Sequence, residues 1–363
     1  MPTNPQQKMP LWLRLLVWGY LVILAALTIM NYSGADRWWF GALNLYLPQA
    51  AWAVPGLCVS FFVFAFARKW VWVPLIFVFW VLGPLMGFCW PVSSARDSLG
   101  NLPLRIMTWN VKYGSQDKFS ILEIIHDIDL NNPSIVFLQD AGGVLNSPLG
   151  DYFKKWHVRS FGQYIIASKI PLGEMQVRYI SFMKEQHTCV RTQIELGGKS
   201  VALYNVHLTT PRFGLNALRE VKSNPWYLPE AIQQLENNVD ARNIQVRALK
   251  EYISQEKGPV IVAGDLNSPD NSRVCATLRS AGLHDAFAEG GKGYGYTYGH
   301  SLLHKRMPTA NVSWMRIDHI MMSSEFQARD CRVGTGSASA HRPVIADLVL
   351  EKFRRNYEKP EDK

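Results

Sequence analysis

Three uncharged apolar stretches follow one another in the first ninety residues of the chain. They cover about residues 11–30, 49–67 and 70–90. Each stretch, with its neutral flanks, reaches or nearly reaches the ~20 residues that a helix needs to cross the hydrocarbon core of a bilayer. A cleavable signal peptide would account for the first stretch but would leave the two later stretches unexplained. The pattern therefore predicts a membrane anchor of three transmembrane helices within residues 1–95.

Basic residues are distributed unevenly around these stretches, and their placement predicts an orientation. Lys8 and Arg14 precede the first stretch, and Arg68 and Lys69 separate the second from the third. The connection between the first two stretches holds one basic residue beside one acidic residue. Because positive charge is retained on the cytoplasmic side, we expect a multi-pass protein of the cytoplasmic (inner) membrane with a cytoplasmic N-terminus. Everything after Pro91 is then extracytoplasmic.

From Leu104 onward the pattern changes to short β-branched or aromatic runs separated by polar and Gly/Pro segments. The predicted strands are Arg105–Trp109, Ile135–Leu138, Tyr164–Ala167, Thr192–Glu195, Val201–His207, Val260–Ala263, Ile317–Met322 and Val344–Leu350. The predicted helices are Ser120–Leu130, Pro229–Gln255 and Ser272–Ala281. A Gly197-Gly198 pair between two alternating runs indicates a hairpin, which favours an α+β fold over a purely parallel α/β sheet. Residues 351–363 are typical of a solvated C-terminal tail.

Composition narrows the class of protein. Hydrophobic residues make up 48% of the 363 residues and charged residues only 18%, which excludes a disordered chain or a coiled coil. The residues after position 95 hold 33 of the 38 basic and 28 of the 29 acidic side chains, a mildly basic balance that suits a soluble domain facing anionic lipid or a phosphorylated substrate, although many domains that bind neither share it. Five cysteines without a CxxC pair exclude a cysteine zinc site, so a metal would need oxygen ligands. Cys189, Cys275 and Cys331 have no neighbouring base and are expected to pack in the core or to form a disulfide.

Polar residues suited to catalysis stand at the ends of several predicted strands, where side chains converge on a common cleft. They are Asn110, Gln139 and Asp140, His207, Asp265 and Asn267, Asp318 and His319, and His341. Singly, each has an ordinary structural explanation, because an Asp or Asn after a strand commonly forms a turn or caps the next helix. Their order and spacing are more informative than any one residue.

Taken as a series, these residues resemble the signature of the endonuclease/exonuclease/phosphatase (deoxyribonuclease I-like) superfamily, in a membrane-anchored, bacterial-type form. The series reads Asn…Gln-Asp…Asn-x-His-Leu…Gly-Asp-Leu-Asn…Ile-Asp-His…Ser-x-His-Arg-Pro-Val over roughly residues 104–350. The resemblance implies a four-layer α/β sandwich of two packed mixed sheets flanked by helices, with the active site at one end of the sheets. It also implies phosphoester hydrolysis assisted by a divalent ion, Mg²⁺ (or Mn²⁺).

The resemblance assigns a role to each matching residue. Asn110 and Asp140 are expected to hold the metal ion through oxygen atoms, as magnesium prefers. Asp265 is expected to orient and deprotonate the attacking water, and Asn267 to hold that water or a phosphoryl oxygen.

The histidines have complementary roles in this scheme. His207 and His341 are expected to donate hydrogen bonds to the phosphoryl group, whose developing charge needs donors. Asp318 resembles the carboxylate that fixes the tautomer and orientation of His341.

Two departures from the family pattern concern the metal. The family has Gln-Glu where this chain has Gln139-Asp140, and Ser-Asp-His where it has Ser339-Ala340-His341. Together they reduce the anionic charge around the ion, which predicts weaker metal affinity or an altered metal preference. A catalytically silent relative is therefore an alternative, although all the groups expected to act on water and phosphate are retained.

The leading hypothesis is a membrane-anchored, metal-dependent phosphoesterase that cleaves a phosphodiester, phosphomonoester or pyrophosphate bond. The anchor favours a lipid-linked phosphate as substrate and the lipid bilayer as the second partner; no protein partner is predicted. The alternatives are an extracytoplasmic nuclease acting on DNA or RNA and a silent phosphate-binding membrane protein. Two further segments are expected at the cleft: residues 211–229, a substrate-facing loop or a loop that packs its own aromatic residues, and the glycine-rich residues 290–299, a mobile rim loop.

Overall fold

The computed structural model describes residues 8–91, 102–112, 118–181, 187–303, 311–335 and 338–351. The described part of the anchor is helical. Its helices are α1 (Leu11–Tyr32), α2 (Trp39–Tyr46), α3 (Ala53–Phe66) and α4 (Trp72–Trp80), with 3₁₀ turns at Ala35–Arg37, Gln49–Trp52 and Arg68–Trp70 and a π-helical turn at Val81–Leu85. Three continuous helical segments are long and apolar enough to cross a membrane: Leu11–Tyr32, Gln49–Phe66 and Arg68–Leu85. These are the three apolar helices that the sequence predicts.

The third of these segments ends at Leu85 rather than near residue 90. Pro84 lies in its last turn and cannot donate a backbone hydrogen bond. Gly87 then adopts a left-handed φ of +71°, which reverses the chain. Cys89 exchanges two backbone hydrogen bonds with Gly293, of 2.8 and 2.9 Å, so the residues expected to finish the helix instead bind the globular domain.

Within the described residues, the globular domain holds two six-stranded sheets. The strands of the first sheet, in spatial order, are β11 (Phe326–Val333), β12 (Val344–Leu350), β1 (Leu102–Asn110), β2 (Ile135–Gln139), β4 (Tyr164–Ser168) and β3 (His157–Phe161). Those of the second are β5 (Gln176–Ser181), β6 (His187–Leu196), β7 (Lys199–His207), β8 (Val260–Asp265), β10 (Asp318–Ser323) and β9 (Leu283–Asp285). Both sheets are mixed, because β1–β2 and β7–β8 are parallel pairs and the other paired strands are antiparallel.

The described helices of the domain are α5 (Lys118–Asn131), α6 (Pro148–Tyr152), α7 (Arg212–Glu220), α8 (Leu228–Ser254), α9 (Arg273–Ser280), α10 (Ala286–Gly290) and α11 (His300–Leu303). The outer face of the first sheet is covered by α5 and α6, and that of the second by α8 and α9. Along β1, Ile106 packs between the sheets while its neighbour Met107 packs outward with Ile124 and Ile128 of α5. On the other side, Val262 of β8 packs with Leu249 and other residues of α8. The predicted four-layer α/β sandwich of the α+β class is therefore confirmed.

Two local predictions can be judged from the backbone and the cysteines. Gly197 and Gly198 join β6 to β7 with φ values of +60° and +77°, the two positive values that a tight type I′ hairpin requires. Cys189, Cys275 and Cys331 are buried free thiols, so packing rather than a disulfide explains them. The predicted tail, residues 351–363, lies outside the described residues except for Glu351.

The segment between α1 and α3 lies against the globular domain. The Asp36 carboxylate accepts a 2.9 Å hydrogen bond from the backbone N–H of Arg273, at the start of α9. The Tyr46 hydroxyl donates a 2.9 Å bond to the carbonyl of Asn267, and the Trp314 indole donates a 3.2 Å bond to the carbonyl of Tyr46. This segment, residues 33–48, therefore occupies the same side of the anchor as the domain.

Candidate active site

The ends of the central strands bring polar side chains from both sheets together. Asn110 ends β1, and its Nδ2 donates a 2.9 Å hydrogen bond to Oδ2 of Asp265, which ends β8. Asp318 begins the antiparallel strand β10 directly opposite Asp265. His207 ends β7, where it pairs in register with Asp265. The predicted residues thus converge at one end of the sandwich, as the resemblance implied.

Asp265 is the centre of this arrangement. Its Oδ2 lies 3.5 Å from Nε2 of His207 and 3.8 Å from Nε2 of His341. The carboxylate is almost completely buried, and burial together with the charge of Asp318 raises the pKa of Asp265, although the two histidines and the Asn110 amide oppose the rise. A buried carboxylate with a raised pKa is a stronger base than an exposed one, as proton abstraction from water requires.

Asp318 holds His341 from behind. Oδ2 of Asp318 lies 2.9 Å from Nδ1 of the imidazole, so this carboxylate accepts the Nδ1 proton and Nε2 faces Asp265. Burial lowers the pKa of His341, but the charges of Asp318 and Asp265 outweigh burial and leave the pKa above its usual value. The Tyr298 ring packs on the imidazole with the ring centroids 4.6 Å apart. His341 is therefore fixed in position and suited to donate a hydrogen bond.

Asn267 has a left-handed backbone, with φ of +49°. Three hydrogen bonds hold it: its N–H donates to Oδ1 of Asp265 at 2.8 Å, its Nδ2 donates to the carbonyl of Leu208 at 2.8 Å, and its carbonyl accepts from the Tyr46 hydroxyl. The bond to Leu208 uses one of the two Nδ2 protons, so the amide oxygen and the second Nδ2 proton are left to meet a ligand. The bond from the Asn267 N–H to the Asp265 carboxylate spans two residues, which explains the Asp-x-Asn spacing of the sequence.

The geometry of the strands requires a glycine at position 264, directly before Asp265. Its φ is +148°, and a Cβ atom there would lie 1.9 Å from the carbonyl oxygen of Val206 on β7. A side chain would therefore separate the two parallel strands whose ends carry His207 and Asp265.

His207 has a second partner that the sequence reasoning missed. Its Nδ1 lies 2.6 Å from Oε1 of Gln163 and 3.7 Å from Oδ1 of Asp140. Gln163 directly precedes the predicted strand at Tyr164, and β4 runs antiparallel to β2. The start of an antiparallel strand lies beside the end of its neighbour, so this position could have been recognised from the topology.

Asn110 and Asp140 offer the oxygen atoms that a hard divalent cation prefers. Oδ1 of Asn110 accepts a 3.0 Å hydrogen bond from the backbone N–H of Lys112, which leaves one of its two lone pairs for a ligand. Asp140 follows β2, whose last residue is in register with Asn110, and its carboxylate is partly exposed. Among the described residues, two groups of acidic, Cys or His side chains have ligand atoms within 4.8 Å of one another, and Asp140 belongs to neither group. The pair fits a divalent ion in donor type, with one carboxylate to balance its charge.

The site opens into two adjoining clefts of about 340 and 190 Å³. The larger, which we call the catalytic cleft, is lined by Asp140, Gln163, His187, His207, Thr209, Phe213 and Asp265, among others. The smaller, which we call the anchor cleft, is lined by Tyr46, Leu215, Arg219, Tyr298, Met315 and His341, among others. Lys112, Thr210, Arg212 and Asn267 line both clefts, so the two form one continuous depression.

The two segments expected at the cleft differ from the predictions. Residues 211–229 are mainly helical, forming α7, a 3₁₀ turn and the start of α8. Arg212 and Phe213 line the catalytic cleft, whereas Trp226 is 90% exposed and does not pack against its own segment. In residues 290–299, the hydroxyls of Tyr294 and Tyr296 donate to the carbonyls of Leu82 and Met86. This segment therefore binds the end of the third apolar helical segment rather than forming a free rim loop, although Tyr298 reaches His341.

A buried ionic cluster supports the site from the far side of β10. Asp285 lies 2.7 Å from both a guanidinium nitrogen of Arg316 and Nδ1 of His319. Burial raises the pKa of Asp285, but these two neighbours outweigh burial and hold its pKa far below the usual range. The Sγ atom of Cys275 lies 3.9 Å from Nε2 of His319, so the expectation that Cys275 has no neighbouring base is wrong. Together with Cys275 and His319, Asp270 forms a group of side chains close enough to hold a metal ion. Asp270 is already paired with Arg316 at 3.2 Å, which disfavours a cation there.

Comparison with known proteins agrees with this architecture. Residues 107–341 match the model of the Endonuclease/Exonuclease/phosphatase family. No curated protein matches the chain significantly.

Several solved structures share the fold. A family protein from Bacteroides vulgatus is 16% identical with a TM-score of 0.53, and the match covers 69% of this chain and 100% of that protein. TDP2 of D. rerio, complexed with a single strand DNA product, is 17% identical with a TM-score of 0.52, over 68% of this chain and 98% of the other. At such low identity these likenesses concern the fold alone.

Proposed function

Since the chain belongs to the Endonuclease/Exonuclease/phosphatase family, whose enzymes hydrolyse phosphoesters with a divalent metal ion, we propose that it is a membrane-bound phosphoesterase acting on a lipid-linked phosphate. The reaction is hydrolysis of a phosphodiester, phosphomonoester or pyrophosphate bond. Residues 104–350 form the catalytic domain in this proposal, and residues 1–95 form the anchor.

The chain's own groups suit each step of such a hydrolysis. Asp265 takes a proton from water, and Asn267 orients that water through its amide oxygen or holds a phosphoryl oxygen through an Nδ2 proton. The charges of Asp318 and Asp265 favour the protonated imidazole of His341, which donates from Nε2 to a phosphoryl oxygen, and Asp318 keeps its ring in place. His207, whose Nε2 lies 3.5 Å from the same oxygen of Asp265, donates to the same group.

Asn110 and Asp140 would hold the metal ion, Mg²⁺ or Mn²⁺. When bound, such an ion supplies positive charge to the phosphoryl oxygens, which lowers the repulsion between the phosphate and an incoming nucleophile. With a single carboxylate in this pair, we expect weak binding of the ion, in agreement with the alanine at position 340.

The observation that favours a lipid substrate is that residues 33–48 of the anchor contribute Tyr46 to the lining of the anchor cleft. Tyr46 is the last residue of α2, and residues 33–48 connect two helices that are long and apolar enough to span a membrane. In α2, Trp39 and Leu43 pack against Leu215 of α7 and Leu235 of α8. The cleft therefore opens next to the segment that leaves and re-enters the bilayer, where a lipid headgroup is within reach.

The contact between residues 33–48 and the domain also supports the proposed orientation. Two further apolar segments separate Tyr46 from the domain, and an even number of crossings returns the chain to the same side. With Lys8, Arg14, Arg68 and Lys69 in the cytoplasm, the domain and residues 33–48 both lie outside the cytoplasmic membrane.

Hydrolysis by the full-length protein in lipid nanodiscs tests the proposal. Phosphate or nucleotide release would be measured with Mg²⁺ or Mn²⁺ on dioctanoyl phosphatidic acid, dioctanoylglycerol pyrophosphate, bis(p-nitrophenyl) phosphate and plasmid DNA. We expect turnover of a lipid that Asp265→Ala abolishes. Asp240→Ala, which removes an exposed carboxylate from α8, is the matched control and keeps full turnover.

The other outcomes each contradict the proposal. Turnover of DNA alone would establish the nuclease alternative. A folded protein that binds these phosphates but hydrolyses none of them would establish the silent binding protein.

A further inference from the structure

The anchor cleft has a charge distribution unlike that of the catalytic cleft. Three of its lining residues are cationic, namely Lys112, Arg212 and Arg219. Among the described residues that line it there is no Asp or Glu, whereas Asp140 and Asp265 line the catalytic cleft. The positive field in this cleft is therefore not neutralised locally, which favours an anionic ligand.

These cations are also available for a ligand. No described carboxylate lies within 4.0 Å of the side-chain nitrogens of Lys112, Arg212 or Arg219. Arg212 and Arg219 lie two turns apart on α7, on the face that also carries Leu215 into the cleft. A guanidinium binds phosphate oxygens with two parallel hydrogen bonds, so α7 offers two such donors in a row.

The remaining wall of the anchor cleft is apolar and partly supplied by the anchor. Tyr46, Met315 and Ile317 form one buried cluster against which Leu215 and Tyr298 pack. A ligand that fits must combine negative charge on the α7 side with apolar groups on the Tyr46 side. A lipid whose headgroup carries more than one anionic group has this chemistry.

We infer that the anchor cleft is a headgroup subsite that binds a second anionic group of the lipid substrate while the first reacts beside Asp265. The shared residues Lys112, Arg212 and Asn267 place the two clefts side by side, so one headgroup can occupy both. The inference rests on the proposed function and adds to it a substrate class: lipids with two neighbouring anionic groups, such as a lipid pyrophosphate.

Two lipids that differ by one phosphate test the subsite. The affinity of the full-length protein for dioctanoylglycerol pyrophosphate and for dioctanoyl phosphatidic acid would be measured in EDTA, so that no divalent ion supports turnover. We expect the pyrophosphate to bind about fivefold or more tightly, as one charge-assisted contact allows. Arg219→Gln should remove most of this preference.

Lys222→Gln is the matched control, because it removes an exposed positive charge just after α7 but outside both clefts. The subsite proposal is wrong if Lys222→Gln and Arg219→Gln reduce the preference for the pyrophosphate equally. It is also wrong if the wild-type protein binds the pyrophosphate and the phosphatidic acid equally well. Binding of a (dT)₆ oligonucleotide would be measured with the same variants. If Arg219→Gln weakens binding of the oligonucleotide but not of the pyrophosphate, the cleft binds nucleic acid instead.

Failure of the proposed function would look different. Hydrolysis of bis(p-nitrophenyl) phosphate with Mn²⁺, measured on the same preparations, reports the catalytic cleft alone. Retained hydrolysis with no preference between the lipids overturns the subsite only. A retained, Arg219-dependent preference without any hydrolysis supports the subsite and overturns the phosphoesterase.

Discussion

Replacing Tyr46 with phenylalanine removes a side-chain hydrogen bond by which the anchor holds a residue of the candidate site. The hydroxyl donates 2.9 Å to the carbonyl of Asn267, which is 5% exposed, and burial raises the pKa of Tyr46 so that it remains a donor. Leaving a buried acceptor unsatisfied costs about 1–3 kcal/mol. A left-handed backbone costs a residue with a side chain roughly 1–2 kcal/mol, so the lost bond is comparable to the strain that it opposes.

We therefore expect Tyr46→Phe to let Asn267 relax and to lower kcat by about 5- to 30-fold, which corresponds to about 1–2 kcal/mol in the barrier. The assay is hydrolysis of bis(p-nitrophenyl) phosphate by the full-length protein, with KM and the melting midpoint measured in parallel. KM for this small substrate should change little, because the ring remains in the anchor cleft. Tyr32→Phe is the matched control, since its hydroxyl faces Pro84 in the anchor. Wild-type kcat in Tyr46→Phe, with an unchanged melting midpoint, would refute the reasoning.

Three further predictions concern other parts of the site. Asp318→Asn should lower kcat by about 100-fold or more, because His341 loses the carboxylate that fixes its tautomer; a matching loss in the apparent affinity for substrate instead would show a binding role. Asp140→Asn should raise the Mn²⁺ concentration needed for half-maximal hydrolysis by about 10- to 100-fold and Asp140→Glu should not, which a metal titration checks. Asp285→Asn should lower the melting midpoint at pH 7 by roughly 6 °C or more, since it removes the charge of the nearer of the two carboxylates that pair with the buried Arg316, at a cost of about 3–5 kcal/mol. Because the folded pKa of Asp285 is depressed, this difference should be full above about pH 4 and shrink as the pH falls below it; a difference independent of pH would show that the charge is not responsible.

The central strands of both sheets could be predicted from the sequence, and the edge strands could not. All four strands that were missed, β3, β5, β9 and β11, lie at the edges of the two sheets. An edge strand packs on fewer neighbours, and β3 and β5 carry mostly exposed or half-exposed side chains. Such segments lack the continuous apolar run that identifies a buried strand, so their pairing is decided by tertiary contacts.

The predicted site residues share a property that the missed ones lack. Asp265, Asn267 and His341 belong to short motifs at strand ends, and such motifs can be read locally. Tyr46 meets Asn267 across 221 positions, and Gln163 meets His207 across 44 positions, without any local signal. The anchor was predicted as a separate unit from its apolar pattern, because hydropathy describes each helix alone and carries no information about what the connection between two helices contacts.

The contact between Tyr46 and Asn267 also sets an order of assembly. In the proposed topology, a ribosome delivers α1, α2 and α3 to the membrane before β8 has been synthesised, so the part of the anchor-cleft wall that Tyr46 supplies is in place first. The sandwich then folds against a surface that is already held by the bilayer. A copy of the domain released by a protease that cuts after Pro91 would keep both histidines and Asp265 but would have no covalent link to this wall. Under the proposed function, hydrolysis therefore depends on membrane insertion, and we expect fragments released in this way to be poor catalysts.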